Sequence, residues 1–438
     1  MSARWARAAL SAYRLGGAAA YPLAGPYVRW RASKGKEDRE RSRERYGVAS
    51  RPRPEGPLIW VHAASVGETI AIVPLVENIL AFGVNIVLTT GTVTSAKVVQ
   101  ERLGEGVIHQ YVPLDLKPAI SRFLNHWQPD LAIIAESEIW PMTILELGAR
   151  HVPQVLVNGR LSDRSFSAWK MRPNIAEALF ENLAHVVAQS EADGERFRAL
   201  GARPVSVSGN LKVDTPPPPV DERALQSLKR QIGERPTWGA VSTHEGEEIM
   251  AAEIHATLRK RHSGLLTIIV PRHPDRGEAL AEQMSSMGLN VVCRSKGERI
   301  TADTDIFLGD TIGEMGLFLR LTEIAFVGRS LTLQGGQNPL EPAMLETAVL
   351  AGRNVQNFRE AYQRLIEAGG AKLVRDRNML AGAVNFLLSN EAARYDMMAA
   401  GTTTVEQMRG ALAHTLKSLE PYIQPLIVKS RLKGAGDR

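Results

Sequence analysis

One cysteine, Cys293, stands in 438 residues. A single thiol excludes an intrachain disulfide framework, a CxxC redox pair and a thiolate zinc site, and it is the usage of a reducing compartment. Aromatic residues are scarce, at 6%. No apolar run reaches the roughly 20 residues that a bilayer-crossing helix needs. The longest uncharged stretch near the N-terminus, Leu15–Val28, has 14 residues, is rich in Gly and Ala, and contains Pro22 and Pro26. Several motifs are missing as well. Without GxxxxGK[ST] the chain is not a P-loop nucleotidase, and without GxGxxG after the first strand of either half NAD is not expected. There is no GxSxG nucleophile elbow. "HEGEE" is not HExxH, and no metal-ligand spacing is convincing, so no cofactor is expected.

What is present describes an ordinary globular chain: 44% hydrophobic and 23% charged residues, at a length that suggests two domains or more. The net charge of +6 is unevenly placed. Residues 1–53 carry 13 Lys/Arg against Glu37, Asp38, Glu40 and Glu44, a local +9, so the remainder sums to −3. The chain is therefore a near-neutral body with a basic N-terminal arm. Positive residues after the apolar stretch argue against a cleaved signal and for cytoplasmic retention. Trp5, Tyr13, Tyr21, Tyr27 and Trp30 suit a lipid interface. The arm reads as a segment lying on an anionic membrane surface, against an ordinary surface helix with a solvated charge run. Nucleic acid is not expected, because the aromatics are not interleaved with the basic run.

From Leu58 onward, short β-branched runs alternate with helical stretches such as Pro74–Phe82 and Ile120–His126. The runs span 58–63, 85–91, 109–115, 130–138, 154–160, 185–191 and 204–210. Each ends in Gly, Ser, Thr, Asn or an acid, as parallel strands buried on both faces do. Pro216 to Pro219 then form a stiff connector. The pattern restarts at 237–243, 265–274, 290–295, 305–311, 324–330, 348–352 and 371–376. The expectation is α/β: two Rossmann-like doubly wound domains facing a cleft. The boundaries drawn are an arm over 1–53, a first domain over 54–215, a linker over 216–222, a second domain over 223–410, and a helix over 411–438 that returns to the first domain.

Ligands of such sheets sit at the C-terminal strand ends. In the first domain these bring Ser65, Gly67 and Glu68 ("HAASVGE"), Glu136 and Glu138 ("AESEIWP"), and Asn158, Arg160, Ser162 and Ser165 ("VNGRLSDRS"). Carboxylates facing a cleft suit general-base work on a hydroxyl. Yet Ser65 with Glu68 is also the S-x-x-E capping box, and locally the cap is the stronger reading. One of Glu136 and Glu138 is expected to turn away. The second domain offers Ser242, Thr243 and His244, then Arg272 and His273, then Asp310 and Thr311, and finally Arg329, Ser330, Gly335, Gly336, Asn338 and Glu341. A Gly-Gly turn entering a helix aims N–H groups at an anion, Arg272 adds bidentate capacity, and Glu341, about one turn into that helix, suits ribose hydroxyls. For His273 a structural histidine and for the glycines a plain tight turn remain open. Together these groups favour a nucleotide.

"WVHAASVGE", "ESEIWP", "NGRLSDRS", "SGNLKVD", "STHEGEE", "PRHPDR", "GDTIGEMG" and "GGQNPLEPA", in this order, resemble the 3-deoxy-D-manno-octulosonic acid (Kdo) transferases of Gram-negative bacteria, glycosyltransferases of the GT-B architecture. The resemblance covers nearly the whole chain, including the arm ending in "ERYG". It implies an inverting, metal-independent transfer of Kdo from CMP-Kdo to the lipid A precursor at the cytoplasmic face of the inner membrane. It places the general base on Glu68, an acceptor-side role on Glu136, and donor contacts on Arg272, His273, Asp310, Thr311, Gly336, Asn338 and Glu341. Gln337 departs from the His that members often carry. The donor carboxylate needs a cationic partner, for which Arg160 and Arg329 are candidates. The alternative is another GT-B sugar-nucleotide enzyme such as a UDP-sugar 2-epimerase; a two-domain solute-binding protein would require export.

Overall fold

The computed structural model describes residues 21–35 and 37–436 together with Leu10, Ala12, Tyr13, Gly16 and Gly17. Trp5, assigned above to a lipid interface, lies outside the described residues. The chain divides into two compact units, one of residues 1–215 and 409–438, the other of 216–408.

Each unit is built on a seven-stranded parallel sheet. In the first, β1 (Leu58–Ala63), β2 (Asn85–Thr90), β3 (Ile108–Tyr111), β4 (Leu131–Ala135), β5 (Gln154–Gly159), β6 (His185–Ala188) and β7 (Val205–Val207) lie in the order β3-β2-β1-β4-β5-β6-β7. In the second, β8 (Thr237–Thr243), β9 (Leu266–Pro271), β10 (Val291–Cys293), β11 (Ile306–Leu308), β12 (Ile324–Val327), β13 (Ala348–Gly352) and β14 (Ala371–Val374) lie in the order β10-β11-β9-β8-β12-β13-β14. Every strand coincides with one of the apolar runs read from the sequence, β3 alone starting one residue ahead of its run. The reason is visible in the burial: β1, β4, β5, β9, β12 and β13 are buried at every position, so both faces must be apolar. In both sheets the order reverses beside the first strand, between β1 and β4 and between β8 and β12. At such a switch point the flanking helices diverge and leave a crevice at the strand ends.

The helix read as Pro74–Phe82 begins earlier, at Val66, and runs to Leu80 with Pro74 inside it. Its start is set by Ser65, whose hydroxyl accepts the Glu68 N–H. The opposite face of the helix buries Ile72, Leu75, Val76 and Ile79 in the core, which holds the helix in place despite Pro74. The last helix, Ala411–Gly436, belongs to the first unit. Its Leu419, Ile423, Leu426 and Ile427 lie on one face and enter the core that contains Ile59 and Val61. Each such burial stabilises by about 1.5–3 kcal/mol. Asp214 ties the entry of this helix down by accepting from the N–H groups of Gly410 at 2.8 Å and Leu412 at 2.5 Å.

The basic run is only partly solvated. Glu44 is buried and accepts from the Tyr111 N–H at 2.7 Å, from Arg41 Nε at 2.9 Å and from the Ser50 hydroxyl at 2.6 Å. Arg45 reaches Glu37 and the carbonyls of Val112 and Gly91. Residues 37–50 are thus bonded to the β3 edge of the first sheet. Ahead of them, the helix Ala24–Ser33 keeps Tyr27 and Trp30 exposed and stacked on each other. Among the described residues no helix is long and apolar enough to cross a membrane.

Candidate active site

In the first unit the switch point collects three carboxylates. Glu68 stands in the first turn of the helix after β1. Its carboxylate turns back on the chain, accepting from the Ala64 N–H at 2.8 Å and the Ser65 hydroxyl at 2.9 Å, while Ser65 Oγ accepts the Glu68 N–H at 3.3 Å. Capping and a place at the strand end therefore coexist. The back-bond goes to Ala64, one residue before the N-cap. Burial, then repulsion from Glu136 and Glu138, pushes the Glu68 carboxyl above the usual carboxylate range; the Ala64 and Ser65 bonds pull the other way without cancelling the rise. Gly67 is exposed with open space where a Cβ would stand.

Glu136 ends β4 in the left-handed region, φ +56°, and is buried. Lys212 Nζ pairs with its Oε1 at 2.5 Å and Asn158 Nδ2 donates to the same oxygen at 3.4 Å. Asn158, itself at φ +51°, accepts the Leu211 N–H through Oδ1 at 3.1 Å. Glu138 accepts from Trp140 Nε1 and lies 3.9 Å from His62 Nε2. Glu136 is thus held by Lys212 and Asn158 and Glu138 by Trp140, and the charges of both raise the Glu68 carboxyl, because β4 pairs directly with β1. Ser162 caps the helix Asp163–Lys170 through the Ser165 N–H, and the Arg160 carbonyl accepts from Ser137.

In the second unit the crevice between β8 and β12 is lined with cations and imidazoles. Ser242, at φ +52°, and Thr243 end β8. The rings of His244 and His273 meet edge to face, with centroids 5.6 Å apart. Gln337 Nε2 donates to His244 Nε2 at 3.0 Å, so in this orientation His244 is a neutral acceptor. Burial, then the charge of Arg329, and further His273 and Arg272, hold the His244 imidazole below its ordinary value. The Arg272 N–H is bonded to the Thr243 carbonyl at 2.9 Å, and the Arg272 and His273 side chains are exposed.

Comparison with known proteins decides the family. Residues 40–215 match the family model of 3-deoxy-D-manno-octulosonic-acid transferase (kdotransferase). A relative from Haemophilus influenzae, a 3-deoxy-D-manno-octulosonic acid transferase, is 36% identical over 395 residues, 88% of this chain and 92% of its own. The chain belongs to the Kdo transferase family. It is a glycosyltransferase, and Kdo transfer places it in lipopolysaccharide core biosynthesis. Two solved structures share the two-domain α/β GT-B fold. A glycosyltransferase from Rickettsia africae has TM-score 0.60 and 11% identity, over 84% of this chain and 99% of that one. A UDP-GlcNAc 2-epimerase from Neisseria meningitidis has TM-score 0.57 and 15% identity, over 83% and 99%.

In this Kdo transferase the glycine turn is not an open anion cradle. Gly335 N–H donates to Gln356 Oε1 at 3.1 Å and Gly336 N–H to the Arg329 carbonyl at 2.9 Å. Both glycines have positive φ, and a Cβ on Gly336 would stand 2.9 Å from the Asn354 carbonyl oxygen. They are there for close backbone approach. The following helix is only Leu340–Met344, and Glu341 in its first turn accepts from Asn338 Nδ2 at 3.2 Å. The expectation that the Gly-Gly turn aims free N–H groups at an anion is thereby corrected. Asp310 and Thr311 follow β11, two strands from the switch point. Asp310 is held by the N–H and hydroxyl of Ser295, at 2.8 and 2.5 Å, and Thr311 donates to Glu314 at 2.6 Å. The residues brought together around His244 are therefore His273, Arg272, Arg329 and Gln337, with Asp310 and Thr311 set to one side. Two residues inside quoted motifs were not singled out: Lys212 of "SGNLKVD" and Glu247 of "STHEGEE". The signal available was a charge just after a strand end.

Proposed function

We propose that this enzyme moves Kdo from CMP-Kdo to a sugar hydroxyl of the lipid A precursor by a single in-line displacement, with Glu68 as general base. The observation that carries the reading is the carboxylate of Glu68 at the switch point of the first sheet. It is held by two hydrogen bonds and shifted toward a higher pKa by burial and two neighbouring carboxylates. A base tuned upward accepts a hydroxyl proton more readily near neutral pH. The acceptor oxygen gives its proton to Glu68 and bonds to the anomeric carbon, whose bond to the CMP phosphate oxygen breaks, inverting that centre. The leaving phosphate is met by the cations of the second unit, Arg272 and Arg329. Transfer proceeds without a metal ion, the side chains supplying the charge.

Lys212 beside Glu136 supplies the cation on the acceptor side, with Arg160 a second candidate there. Exposed Tyr27 and Trp30, with Arg29 between them, support docking of the arm on an anionic bilayer, at the cytoplasmic face of the inner membrane. Incubation with CMP-Kdo and a tetra-acylated lipid A precursor, followed by mass spectrometry of the lipid, tests the reaction. Addition of Kdo is expected. An unchanged lipid from folded protein, or epimerisation of UDP-GlcNAc in a parallel reaction, refutes it.

A further inference from the structure

We infer that Glu247 is the positioning residue of the donor site. The inference rests on the donor assignment proposed above for the second unit. Glu247 opens the helix Glu247–Leu258 and is 1% exposed. Four backbone N–H groups converge on its carboxylate. Oε2 accepts from His244 at 3.0 Å and Arg329 at 2.6 Å; Oε1 accepts from Ser330 at 3.0 Å and Leu331 at 3.1 Å. All four donors belong to the two loops that leave β8 and β12, the strands flanking the switch point. One buried side chain therefore sets the distance between the loop carrying His244 and the loop carrying Arg329.

The backbone on both sides needs such a clamp. Ser242 and Arg329 are non-glycine residues with φ of +52° and +56°, a conformation that persists only where its surroundings over-determine it. Gly328 between the loops has no room for a Cβ, which would stand 2.5 Å from the Ser242 carbonyl oxygen and 2.8 Å from Glu247 Oε2. The bonds then close a circuit. The Arg329 carbonyl accepts the Gly336 N–H, Gln337 follows, and Gln337 Nε2 returns to His244. Movement of the Glu247 carboxylate would displace His244, Arg329 and Gln337 together. A neutral amide at this position offers one acceptor oxygen in place of two and presents an NH₂ group to two of the N–H donors.

The test is steady-state kinetics of wild type, Glu247→Gln and Glu247→Asp, with CMP binding measured by calorimetry on each. The expected result is a donor KM and a CMP Kd raised tenfold or more in Glu247→Gln. The acceptor KM stays unchanged and kcat falls less than threefold. Glu247→Asp, which keeps both oxygens, recovers part of the loss. A merely structural role lowers the active fraction, so kcat falls while both KM values and the CMP Kd per active site stay at wild type; that result overturns the inference while leaving the transferase reading intact. If Glu247→Gln does not fold, Glu247→Asp decides on the same readouts: a wild-type donor KM and CMP Kd overturn the inference, and a rise in both supports it. Wild-type protein that binds no CMP overturns the donor assignment and this inference with it.

Discussion

Replacing Glu68 separates two jobs that one carboxylate performs. As a cap it accepts from the Ala64 N–H and the Ser65 hydroxyl, and loss of such a cap costs about 0.5–2 kcal/mol. As a general base it contributes about 10²–10⁴-fold in rate, which at 1.36 kcal/mol per tenfold is about 2.7–5.4 kcal/mol of barrier. A domain stable by about 5–15 kcal/mol stays overwhelmingly folded after losing 2, so the cap alone leaves turnover per folded molecule unchanged. Glu68→Gln should therefore lower kcat at least a hundredfold in a CMP-release assay while the midpoint of thermal unfolding falls by only a few degrees. Ser65→Ala is the control: it removes the cap at Ser65 and one of the two hydrogen bonds to the Glu68 carboxylate but keeps the carboxylate itself, so stability drops by about 1 kcal/mol while activity at alkaline pH, where Glu68 is ionised, is kept. Folded Glu68→Gln turning over within threefold of wild type would refute the assignment.

Glu138→Gln removes one of the negative neighbours that raise the Glu68 carboxyl. The acid limb of its kcat/KM profile should move to lower pH, because a base with a reduced pKa stays ionised further into acid; an unmoved limb rules out the coupling. Glu44→Ala strips a buried acceptor from Arg41, Ser50 and the Tyr111 N–H. Breaking a buried pair of this kind costs about 3–5 kcal/mol, to be read from urea unfolding, and a change under 1 would mean the segment is only loosely attached. His109 has its pKa lowered to about 3, by burial first and then by Arg41 and Arg45. Its neutral form is the folded one, so stability is full above the ordinary histidine range and is lost as pH falls from 6.5 toward about 3. His109→Gln should flatten that slope, and imidazole NMR should show His109 untitrated at pH 5.

Much of the acceptor-side chemistry was readable locally. Ser65 and Glu68 sit three residues apart, and helix capping acts over that distance, so both the cap and the strand-end placement followed from "HAASVGET". What surrounds Glu68 did not. The charges of Glu136 and Glu138 act on it because β4 is the sheet neighbour of β1 although β2 and β3 separate them in the chain, and Lys212 reaches Glu136 from after β7. The glycine turn misled for the same reason. The acceptors of its N–H groups are Gln356 and the Arg329 carbonyl, and nothing in "GGQNPLEPA" names them.

The central strands β1, β4, β9, β12 and β13, by contrast, were legible because a parallel strand buried on both faces must be largely apolar along its length, and that requirement is written residue by residue. The switch points, the carboxylate trio and the Glu247 clamp belong to the tertiary structure alone. They arise where strands distant in the chain become neighbours in a sheet, and a hydrogen bond or a Coulombic shift depends on separation in space rather than in sequence.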